Sequence, residues 1–300
     1  MRVVSLLPAA TEIMAALGAT DHLVGISHEC DFPTPVRSRW RVTRSAIPDG
    51  LAPDAIDAAV RTQQQNAQPL FTLDTDRIRT LHPDLLLTQA LCEVCAVAEG
   101  DVRALAASLT PAPSVVTLGG TTLEGVFDDI RRVAAAVGAD VEADELLAGL
   151  HARVTQVHET LRAARAPRPR MVLIEWTNPV YLAGHWGPEQ IRRAGGIDAL
   201  GTIGAHSVAV AMDTVAASQP EILLFAPCGY TLEAATAEAG RCLALPEWSW
   251  VGDRQVWALD ANGLTSRPGP RVVDGIEAIA RIGNPSLFTP LDPTHALRIR

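Results

Sequence analysis

The strongest constraint on the fold is a phrase that occurs twice. Asp76, six residues, Pro83 and then Asp84-Leu85-Leu86-Leu87 is matched by Asp213, six residues, Pro220 and then Glu221-Ile222-Leu223-Leu224. In each copy a short helical pattern stops at the proline, and an acidic residue opens an unbroken apolar run. A run without polar alternation suits a strand covered on both faces, as in a parallel sheet. Two copies this far apart in 300 residues are too widely spaced for a solenoid and imply two similar α/β lobes.

The flanking pattern fits that plan. Apolar runs at 2–7, 23–27, 84–88 and 114–118 read as strands of a first lobe, and those at 171–176, 221–225 and 255–259 as strands of a second. Pro8 starts a helix that Gly18 stops. Between the lobes, one helical pattern ends at Gly138 and another covers 141–164, with Leu146, Leu147, Leu150, Val154, Val157 and Leu161 on one stripe. At 1.5 Å per residue that helix is roughly 35 Å long, a rigid connector. The expected organisation is an N-terminal α/β lobe over 1–120, connecting helices over 121–167, a C-terminal α/β lobe over 168–290 and a tail over 291–300. Both lobes are expected to be three-layered with mainly parallel sheets, and the cleft between them to hold a ligand.

Net charge excludes some partners. A formal charge of −9 argues against nucleic acid. Every basic residue is Arg; the chain has no Lys. No segment approaches the roughly 18–20 apolar residues of a membrane span. The opening MRVVSLLPAATEIM reads as a first buried strand rather than a signal peptide, which by itself points to the cytoplasm.

Chemistry is expected where strands end, because ligands of layered α/β folds bind there. From the first lobe these positions are Pro8, Ala9 and Thr11, the triplet His28-Glu29-Cys30, and Gln89 leading to Cys92-x-x-Cys95. From the second they are Trp176, Gly184-His185-Trp186, Pro227 to Tyr230 with Cys228 between, and Ser266-Arg267. Imidazole and thiol groups at strand ends suit zinc, iron, an iron–sulfur cluster or a metal chelate, with Cys30, Cys92, Cys95 and Cys228 as the thiol ligands. One CxxC without a second is a weak zinc signature. On an extended segment His28 and Cys30 share one side. His185 beside Trp186 suits a planar macrocycle, with Trp176 and Tyr230 adding flat surface. Arg267 suits a carboxylate or phosphate of a ligand. Cys242, inside a helical pattern, reads as buried and inert. No nucleophile elbow, phosphate-binding loop, dinucleotide fingerprint or HExxH is present, so a non-enzymatic role is expected. The CxxC pair leaves a redox reading open.

Several phrases together carry a resemblance. SLLPAATEIMAALG at 5–18, LVGISHECDFP at 23–33, the repeated D-x6-P unit, GHWGPEQIRRAGG at 184–196 and SRPGPRVVDGIE at 266–277 resemble the helical-backbone, or class III, substrate-binding proteins of ABC importers, especially the cobalamin-binding type. The resemblance spans about residues 1–285. It implies a two-lobed binder with a long interlobe helix that takes cobalamin or another metal-centred ligand in its cleft and docks on an ABC permease. It also implies a periplasmic or extracytoplasmic setting, against the cytoplasmic expectation above. HEC together with CEVC is not a general feature of the corrinoid binders, so a cytoplasmic protein binding a bare metal ion or an iron–sulfur cluster stays open beside it.

Overall fold

The computed structural model describes residues 1–48, 50–66, 68–91 and 97–300. The Cys92-x-x-Cys95 pair lies outside the described residues. Two compact units make up the chain: Met1–Gly120 with Glu124–Ala148, and Thr121–Leu123 with Gly149–Arg300.

The first unit begins with β1 (Val3–Ser5), α1 (Pro8–Ala16) and β2 (Leu23–Ile26). Then come β3 (Trp40–Arg41), β4 (Thr43–Ser45), α2 (Pro53–Gln65), β5 (Phe71–Leu73), α3 (Thr75–Leu81), β6 (Leu85–Gln89), α4 (Glu99–Ser108), β7 (Ser114–Leu118) and α5 (Leu123–Val137). Its main sheet runs β3-β2-β1-β6-β7 and is parallel throughout. All five residues of β6 are buried, as a strand with both faces covered requires. On one face, Val4, Leu6 and Leu86 pack with Ile78, Leu81, Val102 and Leu105.

α6 (Asp140–Ala163) is a 24-residue helix whose residues are divided between the units. Its buried positions, Ala143, Leu147, Leu150, Val154, Val157 and Leu161, alternate steps of four and three, which keeps them on one stripe. Leu146, expected on that stripe, is half-buried.

The second unit contains β8 (Arg170–Thr177), β9 (Val180–Leu182), α7 (Gly187–Arg193), β10 (Ile197–Asp198), β11 (Val208–Ala209), α8 (Met212–Ala217) and β12 (Ile222–Phe225). It continues with α9 (Leu232–Leu243), β13 (Gln255–Leu259), α10 (Ala261–Leu264), α11 (Val272–Gly283) and β14 (Ala296–Arg298). Its sheet is mixed, in the order β11-β9-β8-β12-β13-β14, with β10 pairing with β8. The central β8, β12 and β13 are parallel, while β9, β11 and β14 are antiparallel additions. Residues 291–300, expected as a tail, therefore hold an edge strand. Trp257 is half-buried, whereas Trp248 is 2% exposed and packs on Phe225.

The repeated phrase builds the same joint in both units. His82 and Gln219, each just before the proline, adopt left-handed backbone with φ of 43° and 47°. The following acid takes the amide of the residue that opens the first strand: Arg2 N to Asp84 Oδ2 at 2.7 Å, and Arg170 N to Glu221 Oε1 at 2.9 Å. The reciprocal amides return to Arg2 O and Arg170 O, both at 2.8 Å. The two arginine side chains donate to the last carbonyls of the preceding helix turn, Leu81 O at 2.6 Å and Ser218 O at 2.7 Å, offsetting the negative helix end.

Candidate functional site

In the first unit the strand ends gather around the HEC triplet, which is not extended. The Cys30 amide bonds back to Ser27 O at 3.3 Å, closing a turn over residues 27–30. The turn sends the three side chains different ways and corrects the expectation that His28 and Cys30 share a side. Cys30 points inward, fully buried, with Sγ 3.1 Å from both Thr11 Oγ1 and Ser27 Oγ. Thr11 in turn donates to Ser5 Oγ at 2.8 Å. Glu29 is exposed. His28 lies between, its ring 5.6 Å from that of Phe71 and its Nδ1 2.7 Å from Thr43 Oγ1.

Arg41 holds the turn. One guanidinium nitrogen donates to Ser27 O, His28 O and Cys30 O at 2.8, 2.7 and 2.8 Å. Arg41 and Thr43 stand two apart where β3 gives way to β4. Both were absent from the sequence-derived candidates, and a basic and a hydroxyl residue at that spacing in RVT is the signal that marks them. Among the other candidates of this unit, Ala9, Thr11 and Gln89 are buried and Pro8 is half-buried. Thr11 thus supports the turn from behind instead of facing outward.

In the second unit the strand ends form a connected group. Trp176, one residue before the end of β8, meets Tyr230 edge to face at 5.8 Å between ring centres. Asn262 closes the turn before Tyr230, donating its side chain to Gly229 O at 3.1 Å and its amide to Tyr230 O at 3.2 Å. Burial raises the Tyr230 phenol above its ordinary range, with the Glu238 carboxylate adding to the effect. Behind it, Glu238 bonds the Thr177 hydroxyl and is paired with Arg241, which holds its carboxyl below the ordinary value despite burial. The Cys242 thiol at 3.5 Å from Glu238 is buried and pushed up to about 12, so it is an inert thiol. Cys228 is half-buried, and its amide bonds Glu175 O at 3.0 Å.

The GHW segment is pinned by backbone. Gly184 has no room for a side chain: a Cβ would stand 2.4 Å from Ala205 O and from Ser207 N. His185 adopts φ 51°, donates its amide to Ala205 O at 2.6 Å and accepts from Gly204 N at 2.9 Å. Its ring is flanked by Trp186 at 5.7 Å and His206 at 5.3 Å, and its Nε2 is buried without a hydrogen-bond partner among the described residues. Burial, with His206 nearby, lowers the His185 pKa and favours the neutral imidazole. Trp186 does not offer a flat surface. It is 5% exposed, and its Nε1 donates to Thr265 O at 2.8 Å, joining the GHW segment to the turn that carries half-buried Ser266 and Arg267.

Beneath lies Glu175, also missed from sequence. Ser207 donates to its Oε2 at 2.5 Å, and Gly184 N donates to Ser207 Oγ at 3.1 Å. Burial pushes the Glu175 carboxyl up, and these bonds pull only part of the way back. A lone acid within the apolar strand MVLIEWT is the signal that marks it. Among the described residues no group of three His, Cys, Asp or Glu side chains is placed to hold a metal ion. No described helix is long and apolar enough to cross a membrane.

The family model described as "Periplasmic binding protein" matches residues 3–241. A curated relative, the vitamin B12-binding protein of Vibrio cholerae serotype O1, is 26% identical over 280 residues, covering 93% of this chain and 87% of its own. A periplasmic heme binding protein from Pseudomonas aeruginosa shares the fold with a TM-score of 0.74 at 19% identity, over 99% of this chain and 97% of its own. The periplasmic vitamin B12 binding protein BtuF of Vibrio cholerae does so with a TM-score of 0.62 at 23% identity, over 96% and 98%. The chain belongs to the periplasmic binding protein family, the non-enzymatic substrate-binding components of ABC importers.

Proposed function

We propose that the chain captures a cobalamin-like corrinoid, or a closely related metal chelate, and hands it to an ABC permease outside the cytoplasm. The observation that carries this reading is the Trp176–Tyr230 pair at the strand ends of the second unit, two half-buried rings in edge contact beside the GHW segment. A large flat ligand is recognised by such surface at low entropic cost. The relative's binding of vitamin B12 and its match over most of both chains favour a corrinoid over haem. His28, Glu29, Gln89, Trp176, His185, Pro227, Tyr230, Ser266 and Arg267 are the positions proposed to face or flank the ligand. His185, kept neutral, is the imidazole best suited to a metal centre.

Titration with cyanocobalamin and, separately, haemin tests this, with calorimetry and visible absorbance as readouts. Cyanocobalamin is expected to bind the more tightly, and Trp176→Ala and Tyr230→Ala to weaken it about tenfold each, as loss of a well-packed aromatic contact does. No heat and no spectral change with cyanocobalamin would remove the corrinoid. The bare-metal or iron–sulfur reading has less support, because Cys30 turns its thiol among hydroxyls and Cys242 is sequestered in a helix.

A further inference from the structure

The chain is acidic, yet one stretch of it is not. From Thr34 to Pro48 it carries Arg37, Arg39, Arg41 and Arg44 and no acidic residue, in a protein of formal charge −9. The stretch passes through β3, at the end of the first unit's sheet, where Trp40 and Arg41 are both exposed. Successive side chains leave a strand on opposite sides, so these exposed groups wrap the sheet edge. Arg77 of α3 joins them, its guanidinium 4.1 Å over the Trp40 ring. Trp40 is 56% exposed, a large apolar surface to leave in water.

What holds these arginines is mostly neutral. Arg41 engages the three turn carbonyls, Arg37 Nε donates to Asp31 O at 2.8 Å, and Arg77 lies on an aromatic face. Carbonyls and rings orient a guanidinium without cancelling its charge. Arg44 is exposed and makes no hydrogen bond or ion pair among the described residues. Among those residues, one carboxylate pairs with any of the five guanidinium groups: Asp21, fully exposed and 3.8 Å from Arg39. Other exposed arginines differ. Arg61, Arg103 and Arg131 each pair with an acid three or four residues away, at 2.8, 2.6 and 2.6 Å.

We propose that this edge, Arg37 to Arg44 with Trp40 and Arg77, docks on an anionic lipid surface, the phosphate-bearing headgroup layer of the membrane that holds the permease. Guanidinium forks match phosphate oxygens two at a time. The cations follow one another along an edge, which suits a partner that offers phosphates side by side. An indole under a guanidinium suits the headgroup layer, where the ring meets acyl chains and the cation meets phosphate. The chain's excess of acidic residues is repelled by such a surface, so contact is confined to this edge. Docking keeps the protein beside its permease and makes the search for it two-dimensional. That consequence rests on the function proposed above; the lipid contact stands on the residues of the edge.

The experiment is sedimentation of the full chain, without cargo, with large vesicles of phosphatidylcholine alone or mixed equally with phosphatidylglycerol. Binding is expected to the mixed vesicles only, and to be lost as salt rises from about 0.05 M to about 0.5 M. Arg44→Gln is expected to weaken it about fivefold, and Arg37→Gln with Arg44→Gln about 25-fold. Arg131→Gln removes the same charge elsewhere in the chain and is expected to leave binding unchanged. Brominated phosphatidylglycerol is expected to quench the tryptophan fluorescence, and Trp40→Phe to abolish most of that quenching. Urea unfolding checks that each variant is folded. No binding to the mixed vesicles, equal binding to both kinds, or equal weakening by Arg131→Gln overturns the proposal. Vesicle binding in a protein that ignores cyanocobalamin removes the corrinoid and leaves the docking edge; the reverse result removes the docking edge alone.

Discussion

Two residues of the second unit make sharp demands on their surroundings. Gly184 sits where any Cβ would overlap the backbone of residues 205–207. Gly184→Ala is expected to lower stability by about 3 kcal/mol, near the upper end for overpacking, and to weaken ligand binding with it; denaturant unfolding checks the first. A loss under about 1 kcal/mol would show that the GHW segment is not pinned. Glu175 is the second. Its pKa in the folded state is raised, so it holds its proton more tightly folded than unfolded. The stabilisation this gives is fully present below the unfolded glutamate value and is lost as pH rises through the folded one. Glu175→Gln keeps an oxygen for Ser207 to donate to and removes the charge. The variant is therefore expected to match the wild type in acid and exceed it in stability at neutral pH, as urea unfolding at several pH values will show. Equal stability at every pH would show that Glu175 carries no such penalty.

At the scale of elements, the twice-built joint predicts twice-seen behaviour. Arg2→Ala and Arg170→Ala each free one helix-end carbonyl, bonded once by Arg2 and twice by Arg170, while leaving the exchange with Asp84 or Glu221 intact. Each is expected to cost about 1 kcal/mol, the usual net worth of one such bond; a loss at one joint only would break their equivalence. This joint was legible in the chain as written, because Asp-x6-Pro-acid repeats at identical spacing. Strands over 114–118 and 255–259 and the 24-residue α6 were legible too, since long apolar runs and a stripe of four-three steps survive any tertiary context. The two- and three-residue strands β3, β9, β10, β11 and β14 were not, because strands so short carry no period. The direction of Cys30 was equally hidden. It depends on Thr11 and Ser27 hydroxyls whose closeness follows from packing α1 over β2, not from any local spacing.

For the molecule as a whole, binding and folding are linked. A ligand present at about 100 times its Kd stabilises the folded form by about 2.7 kcal/mol. Thermal unfolding with and without cyanocobalamin is expected to show a higher Tm with ligand, and Tyr230→Ala to reduce that gain; an unchanged Tm would count against the corrinoid. Arg153 offers a control away from the strand ends. It bridges α6 to Asp274 and Glu277 of α11 at 2.5 and 2.9 Å. Because the side chain is partly exposed, its removal is expected to cost about 1 kcal/mol, less in high salt, with ligand affinity unchanged.

The joint at Arg2 also settles how the first unit can be tethered. Its amide and side chain are tied down one residue after the chain's first, at the opening end of β1. In a parallel sheet that end is opposite the one where β2 runs into the HEC turn. Any leash attached ahead of Met1, whether an anchor or an affinity tag, thus departs from the far rim of this sheet. A sensor surface loaded through that terminus would present the turn outward, toward whatever flows past.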